Sequence, residues 1–393
     1  LRGPTDPFET TERQALADAV HRFTAAQIVP NLATWEDAGE LPRELHRRAA
    51  EAGLLGVGYP EAVGGEGGGT IDQLVVTEAL LTAGGSGGVV AGLFTHGIAL
   101  PHVIDAAAAR REAGDDAGAE HLERHCIRPV LNGTAICALG VTEPDGGSDV
   151  ANLRTTGRWQ DGRLLVSGSK TLITSGTRAD FVVAAVRTGG PGAAGISLVL
   201  IDTDAPGFTV TRRLAKMGWH CSDTAELGFS DVAVPAEHIL AEGAGFAALA
   251  RHFVNERLSL AATGYATGQR CLDLTVAWAK ERTTFGRPLA QRQVIRHTLV
   301  EMHRQVDVAR RYTRWVAARH AAGESVVAEA VLAKQTGAEA GTFAADRAVQ
   351  LFGGMGYLRD SEVERHYRDV RILGIGGGAT EVMTDLAARL LDY

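Results

Sequence analysis

FVVAAVRTGGPGAAGISLVLIDT, residues 181–203, reads as two short runs of β-branched and aliphatic residues with only GGPGAAG between them. Runs of this length, bounded by glycine and proline, are strand signals. No helical period separates them. The same texture extends from Thr134 to about Ile239, through AICALGV, GRLLVSG, FTVTRRL and AELGFSDVAV, punctuated by DGG, QDG and DAPG. Strand follows strand without βαβ alternation, which argues against a Rossmann fold despite the many glycines. The middle of the chain is expected to be a β-domain.

On either side the period is helical. From Glu9 to about Ala62, Leu16, Val20 and Phe23 recur at three- or four-residue intervals, and Thr11 with Gln14 resembles a capping box. Apolar, Ala-rich segments such as LVVTEALLTAGG and GIALPHVIDAAAARRE continue to residue 127. The helical period returns from Gly245 to about Val349, closes at LFGGMGYLRD, and resumes in TEVMTDLAARLL after the glycines at 376–378. The expected order is α, β, α, with domains at 1–133, 134–240 and 241–393.

The 393 residues suffice for two or three modest domains, and 45% hydrophobic with 22% charged residues are ordinary globular values. A net charge of −8 without a long Lys/Arg run argues against broad nucleic-acid binding. No uninterrupted apolar run approaches the roughly 18 residues of a membrane span, and the first residues lack the order of a signal peptide. The expectation is a cytoplasmic bacterial protein. Cys126, Cys137, Cys221 and Cys271 form no CxxC pair and read as small core residues. No metal-ligand spacing stands out.

Three segments carry candidate chemistry. In GVTEPDGGSDV, residues 140–150, Thr142, Gly147 and Ser148 supply hydroxyls and accessible backbone amides after a strand, suited to a polar ring edge or a phosphate, or to a simple turn. In KERTTFGRPLAQRQ, residues 280–293, Arg282 and Arg287 flank Phe285, a pattern suited to a pyrophosphate and an adenine or to a solvated helix end. In VQLFGGMGY, residues 349–357, Gly353 and Gly354 interrupt a helical pattern, with Gln350 one turn back.

Taken in order, these segments resemble the acyl-CoA dehydrogenase family over nearly the whole chain. VTEPDGGSD, GSKTLITSGTRADF, ERTTFGRPLAQRQ and QLFGGMGY…VERHYRDVRIL…TEVM look like its successive signatures. The resemblance implies an α+β fold, with an N-terminal helical domain, a middle β-domain and a C-terminal four-helix bundle. It also implies FAD and a homotetramer built as a dimer of dimers. Thr142, Gly147 and Ser148 would contact the flavin, with Thr174 on its other side. Arg282, Phe285 and Gln293, with Gln350 and Gly354, would serve the adenosine diphosphate part of a neighbouring subunit's FAD. Leu172 and Ala379 depart from the aromatic residue and the threonine common at those positions.

Many members carry a catalytic glutamate two residues after the isoleucine of the last signature; here that position is Gly377. A glycine cannot take a proton. GFAALARHFVNERLSLAATG, residues 245–264, offers another carboxylate, because Leu249, Phe253, Glu256 and Leu260 follow a 4-3-4 spacing that puts Glu256 on an apolar stripe. Burial there would raise its pKa and suit it to general-base work. Isovaleryl-CoA and long-chain acyl-CoA dehydrogenases are similar in carrying their glutamate on this helix. The resemblance then implies that the Gly377 N–H still binds the thioester carbonyl, opposite a ribityl hydroxyl, and that Gly376, with Ser148 and Arg257, belongs to the substrate side. Glu381 reads as first-turn helix charge. The implied reaction is dehydrogenation of a branched or medium- to long-chain acyl-CoA to the trans-2-enoyl-CoA, as in β-oxidation, with electron-transfer flavoprotein as acceptor. A carrier-protein thioester, a flavin monooxygenase on the same fold and a non-catalytic flavin-binding paralogue are the alternatives.

Overall fold

The computed structural model describes residues 6–393. Helices come first: α1 (Thr11–Phe23), α2 (Leu32–Ala38), α3 (Arg43–Glu51), α4 (Thr70–Thr82), α5 (Gly87–Leu93), α6 (His96–Glu112), α7 (Asp116–Leu122) and α8 (Arg128–Leu131). Helix α1 is capped by Thr10, whose hydroxyl accepts from Arg13 N at 3.3 Å. The cap therefore lies one residue before Thr11, because Thr10 keeps the extended backbone a cap requires and Thr11 is already helical. One helical stretch, Gly87–Glu112, has the length and mean apolarity of a membrane span. Counting uninterrupted runs missed it, since Thr95, His96 and His102 break the run without lowering the average much; 61% of its most apolar window is buried within the chain, as a core helix would be.

The strands follow: β1 (Cys137–Gly140), β2 (Thr156–Gln160), β3 (Arg163–Thr174), β4 (Phe181–Arg187), β5 (Ile196–Asp202), β6 (Phe208–Arg213), β7 (Thr224–Pro235) and β8 (Ile239–Ala241). They form one sheet in the order β6-β7-β3-β2-β4-β5-β8, with β1 parallel to β4. The β4 and β5 runs pair antiparallel, from Phe181 opposite Asp202 to Arg187 opposite Ile196. Their alternation explains why both runs are apolar throughout. Val182, Ala184 and Val186 of β4 and Val199 and Ile201 of β5 enter a core made by the sheet itself. Phe181, Val183, Ala185, Ile196, Leu198 and Leu200 point the other way, into a core shared with α6, α7 and the start of the next helix. With both faces covered, only the terminal Arg187 and Asp202 of the two strands keep partial exposure to water.

Helices close the chain: α9 (Gly245–Glu281), α10 (Gln293–Ala321), α11 (Val327–Phe352), α12 (Glu362–Val370) and α13 (Thr380–Leu390), with a two-strand turn of β9 (Thr283–Thr284) and β10 (Arg287–Pro288) after α9. Helix α9 is the spine. Gly264 and Gly268 face Gly337 and Gly341 of α11, and the two backbones approach so closely that a Cβ on Gly264 would sit 2.2 Å from the Gly337 carbonyl oxygen. A Cβ on Gly341 would meet the Gly264 carbonyl oxygen at 2.4 Å. These glycines accept a helix penalty of about 1 kcal/mol each to let the helices touch. On the far side, Arg314 of α10 binds Glu78 of α4 at 2.5 Å, and Tyr265 of α9 donates to the same carboxylate, so three helices share one charged network.

Candidate active site

Glu256 stands near the start of α9 at the end of a narrow recess lined by Gly97, Ile98, His102, Leu139, Leu249, His252 and Phe253. The helical stripe predicted for it is thus present, with Leu249 and Phe253 beside it. Burial raises its pKa above the ordinary carboxylate range, opposed in part by the charges of Arg257 and Lys334. Among the described residues neither cation comes within ion-pair distance of the carboxylate. Arg257, next in sequence, is itself buried, lies over the Phe253 ring at 5.3 Å, and leaves its Nε unpaired.

The glycine run reaches the same place from the other end of the chain. Gly377 has φ +63°, and a Cβ built on it would point at Glu256, 3.3 Å from Oε1, and into Leu260 Cδ1 at 2.2 Å. Leu260 therefore fills the space a side chain at 377 would enter, with the Glu256 carboxylate directly beside it. The Gly377 N–H makes no hydrogen bond within the described residues. Gly376 is roomier, meeting only Ile372 at 3.6 Å or more. Lys334 of α11 is 1% exposed and donates to the Gly378 carbonyl at 2.7 Å, which anchors the run and holds a cation near Glu256. Its own pKa is lowered by burial.

Sequence reading overlooked two further members of this neighbourhood. His102 is buried, edge-on to His252 at 4.9 Å, and desolvation pushes its pKa down to about 4, so it is neutral near pH 7. His252 bonds Asp105 at 2.9 Å. Their apolar helical surroundings read as core in sequence, and only packing brings both rings to the recess that Glu256 lines.

Thr142, Gly147 and Ser148 lie on the loop after β1, three or more residues from Leu139 of the recess, and Thr171 N bonds the Thr142 carbonyl at 2.9 Å. Thr174 ends β3 on the same sheet. The hydroxyls of Thr142, Ser148 and Thr174 have no hydrogen-bond partner among the described residues, a donor set suited to the edge of a planar polar ring. Leu172 is 62% exposed with φ +60°, at a register break between β3 and β7, so its side chain is turned out beside Thr174. What fixes the loop is Glu143. It accepts from Lys170 Nζ at 2.8 Å and from Arg154 N and Thr155 N, and Lys170, fully buried, has its pKa lowered to about 8 by desolvation. The Glu143–Lys170 pairing had no signal in spacing.

Arg282, Phe285 and Gln293 form a separate group around the β9–β10 turn. Phe285 is 96% exposed with φ +48°. This turn adjoins Gln350 and Gly354 through Trp278, which stacks on Phe352 at 4.8 Å and donates to the Leu351 carbonyl. Helix α11 ends at Phe352, and Gly353 turns out at φ +61°. Within one chain this group does not line the recess at Glu256. Trp219 donates its backbone N–H to Asp369 of α12 and sets its indole ring against Gly87 of α5, an internal joint between the first helices and the last.

Models of the acyl-CoA dehydrogenase N-terminal, middle and C-terminal domains match residues 10–110, 138–232 and 243–391. A crystal structure described as a probable acyl-CoA dehydrogenase from Mycobacterium abscessus superposes with a TM-score of 0.93 and 56% identity, covering 98% of this chain and 100% of that one. A probable acyl-CoA dehydrogenase of Bacillus subtilis is 32% identical over 98% of this chain and 99% of its own length. The mitochondrial long-chain specific acyl-CoA dehydrogenase of Sus scrofa is 32% identical over 97% of this chain and 86% of its own.

Proposed function

The chain belongs to the acyl-CoA dehydrogenase family, FAD-dependent oxidoreductases acting on CH–CH groups, and from that premise we propose that Glu256 is its catalytic base. The observation that carries the proposal is the 3.3 Å between Glu256 Oε1 and the Cβ position of Gly377. A carboxylate supplied from α9 and one supplied from position 377 would serve the same space. Only one fits.

Glu256 takes the α-proton of the acyl thioester, and its pKa, raised by burial, makes it a stronger base than an ordinary carboxylate. The Gly377 N–H donates to the thioester carbonyl and stabilises the enolate charge that develops there. FAD, when bound, supplies the acceptor for the β-hydrogen as hydride. Thr142, Gly147 and Ser148 would contact its ring with Thr174 on its other side, a role that suits the three hydroxyls, which have no partner of their own. Arg282, Phe285, Gln293, Gln350 and Gly354 serve the adenosine diphosphate part bound to a neighbouring chain. Exposure of Phe285, Val294, Val308 and Trp315 supports burial of this region in a homotetramer made of two dimers. Electron-transfer flavoprotein is the proposed acceptor of the electrons.

For the substrate, the missing side chain at Gly376 and the similarity to a long-chain specific relative favour branched or medium- to long-chain acyl groups, with Ser148 and Arg257 on the thioester side. The test is anaerobic bleaching of the flavin by isovaleryl-, butyryl-, octanoyl- and palmitoyl-CoA. At least one ester other than butyryl is expected to bleach fastest. A preference for butyryl-CoA would overturn the substrate class, and no bleaching by any ester would overturn the reaction and leave the carrier-protein, monooxygenase and non-catalytic readings.

Lys334→Met removes one of the two cations, Arg257 and Lys334, whose charges act on the base. Lys334 lowers the Glu256 pKa, so its removal raises that pKa and shifts the acid limb of the reductive rate to higher pH. The same change leaves the half-buried Gly378 carbonyl without its donor, at a cost of up to about 1–3 kcal/mol. A stability loss with an unmoved pH profile would mean that Lys334 only anchors the loop.

A further inference from the structure

Three side chains that share no motif meet where the first helices join the sheet. His125 lies in the π-turn Glu123–Ile127 after α7, Asp202 ends β5, and His238 closes the short turn Ala236–His238 between β7 and β8. His125 Nε2 is 2.7 Å from Asp202 Oδ1, and His238 Nδ1 is 3.6 Å from Asp202 Oδ2. One potential ligand atom from each lies within 4.8 Å of the others. His121, one helical turn before His125, stacks on its ring at 5.2 Å and brings Nε2 to 3.0 Å from His238 Nε2. None of the four lines the recess at Glu256.

The protons do not close this arrangement by themselves. His238 is 3% exposed, and its Nδ1 has no hydrogen-bond partner. Between the two Nε2 atoms one proton is shared. If neutral His238 supplies it, Nδ1 is a bare lone pair facing a carboxylate, two acceptors with nothing between them. If His121 supplies it, the His238 Nδ1–H meets its nearest carboxylate oxygen only at 3.6 Å, too long for a hydrogen bond. A cation resolves the first case. It would take the Nδ1 lone pair, while the Nε2–H rests on a second imidazole, the usual way a ligating histidine is oriented.

We propose that His125 Nε2, Asp202 and His238 Nδ1 bind a divalent cation of the zinc class, with His121 as the orienting partner of His238. Two imidazoles and one carboxylate suit zinc, with water completing four-coordination. Bonds of about 2.0–2.2 Å at tetrahedral angles separate ligand atoms by roughly 3.3–3.6 Å, so side-chain shifts of about an ångström close the site. The ion staples the end of α7 to β5 and to the β7–β8 connection. Chain segments far apart in sequence are joined, so binding adds to folding stability.

The test uses the FAD-loaded full chain, stripped with chelator and titrated with Zn2+ against a chromophoric chelator, alongside His125→Ala, Asp202→Asn and His238→Asn. Circular dichroism checks each fold; His125 and Asp202 are partly exposed, so their variants are the safer ones. Wild type is expected to bind one equivalent and to melt higher with Zn2+, and the ligand variants to lose both effects. His121→Ala is expected to keep the stoichiometry and bind about 10- to 100-fold more weakly. Wild-type binding that survives in Asp202→Asn and His125→Ala, or no binding by wild type, overturns the site and leaves a metal-free histidine cluster.

Discussion

Glu256→Gln is expected to bind acyl-CoA as wild type does and to bleach the flavin about 100- to 10,000-fold more slowly, the span a positioned general base contributes. Gln keeps the shape and removes the proton acceptor. A second readout separates loss of the base from damage to the fold. Because burial raises the Glu256 pKa above its unfolded value, its contribution to stability is full below the unfolded pKa and is lost as pH rises through the folded one. At pH 7–8 the Gln variant should therefore melt higher than wild type, and near pH 4 the advantage should vanish. A variant that is both inactive and less stable at pH 8 would point to a structural role, and one that bleaches at the wild-type rate would assign the base elsewhere.

Gly264→Val is expected to cost more than the roughly 1–3 kcal/mol of ordinary overpacking, enough to deplete the folded, FAD-loaded protein. The obstruction is the Gly337 carbonyl oxygen, 2.2 Å from the first added carbon, and a neighbouring helix backbone cannot rotate aside as a side chain can. The site would suffer with the fold. Glu256 lies about two turns before Gly264 on α9, and Lys334 one turn before Gly337 on α11, so separating these helices pulls the base from the cation that anchors the glycine run. Gly97→Ala is the control for stability. At Gly97, in the first turn of α6, an added Cβ meets only the Tyr59 hydroxyl at 3.8 Å, so helix propensity should leave it neutral or gain up to about 1 kcal/mol. Thermal melts of the two variants decide it. Equal, small shifts would mean that α9 and α11 can repack.

Local pattern carried much of the architecture. Two-residue alternation and glycine punctuation marked the strands from Thr134 onward, and the helical period marked the flanks, because burial of one face imposes its spacing on a segment however the rest of the chain is arranged. The same logic put Glu256 on the apolar stripe of α9, and the absence of a carboxylate at Gly377 was visible in the residue itself. Such patterns are local, and they say which face is buried without saying what it is buried against. That Gly377 aims its missing side chain at Glu256, that Lys334 holds Gly378, that His102 turns toward the same recess, and that His125, Asp202 and His238 converge were decided only by tertiary packing. Each of these contacts spans scores of residues, and its geometry depends on how closely α9 and α11 approach and on how the sheet seats against α6 and α7. Interhelix distance is set by side chains absent from both partners at once, and a single chain's periodicity does not encode that coincidence.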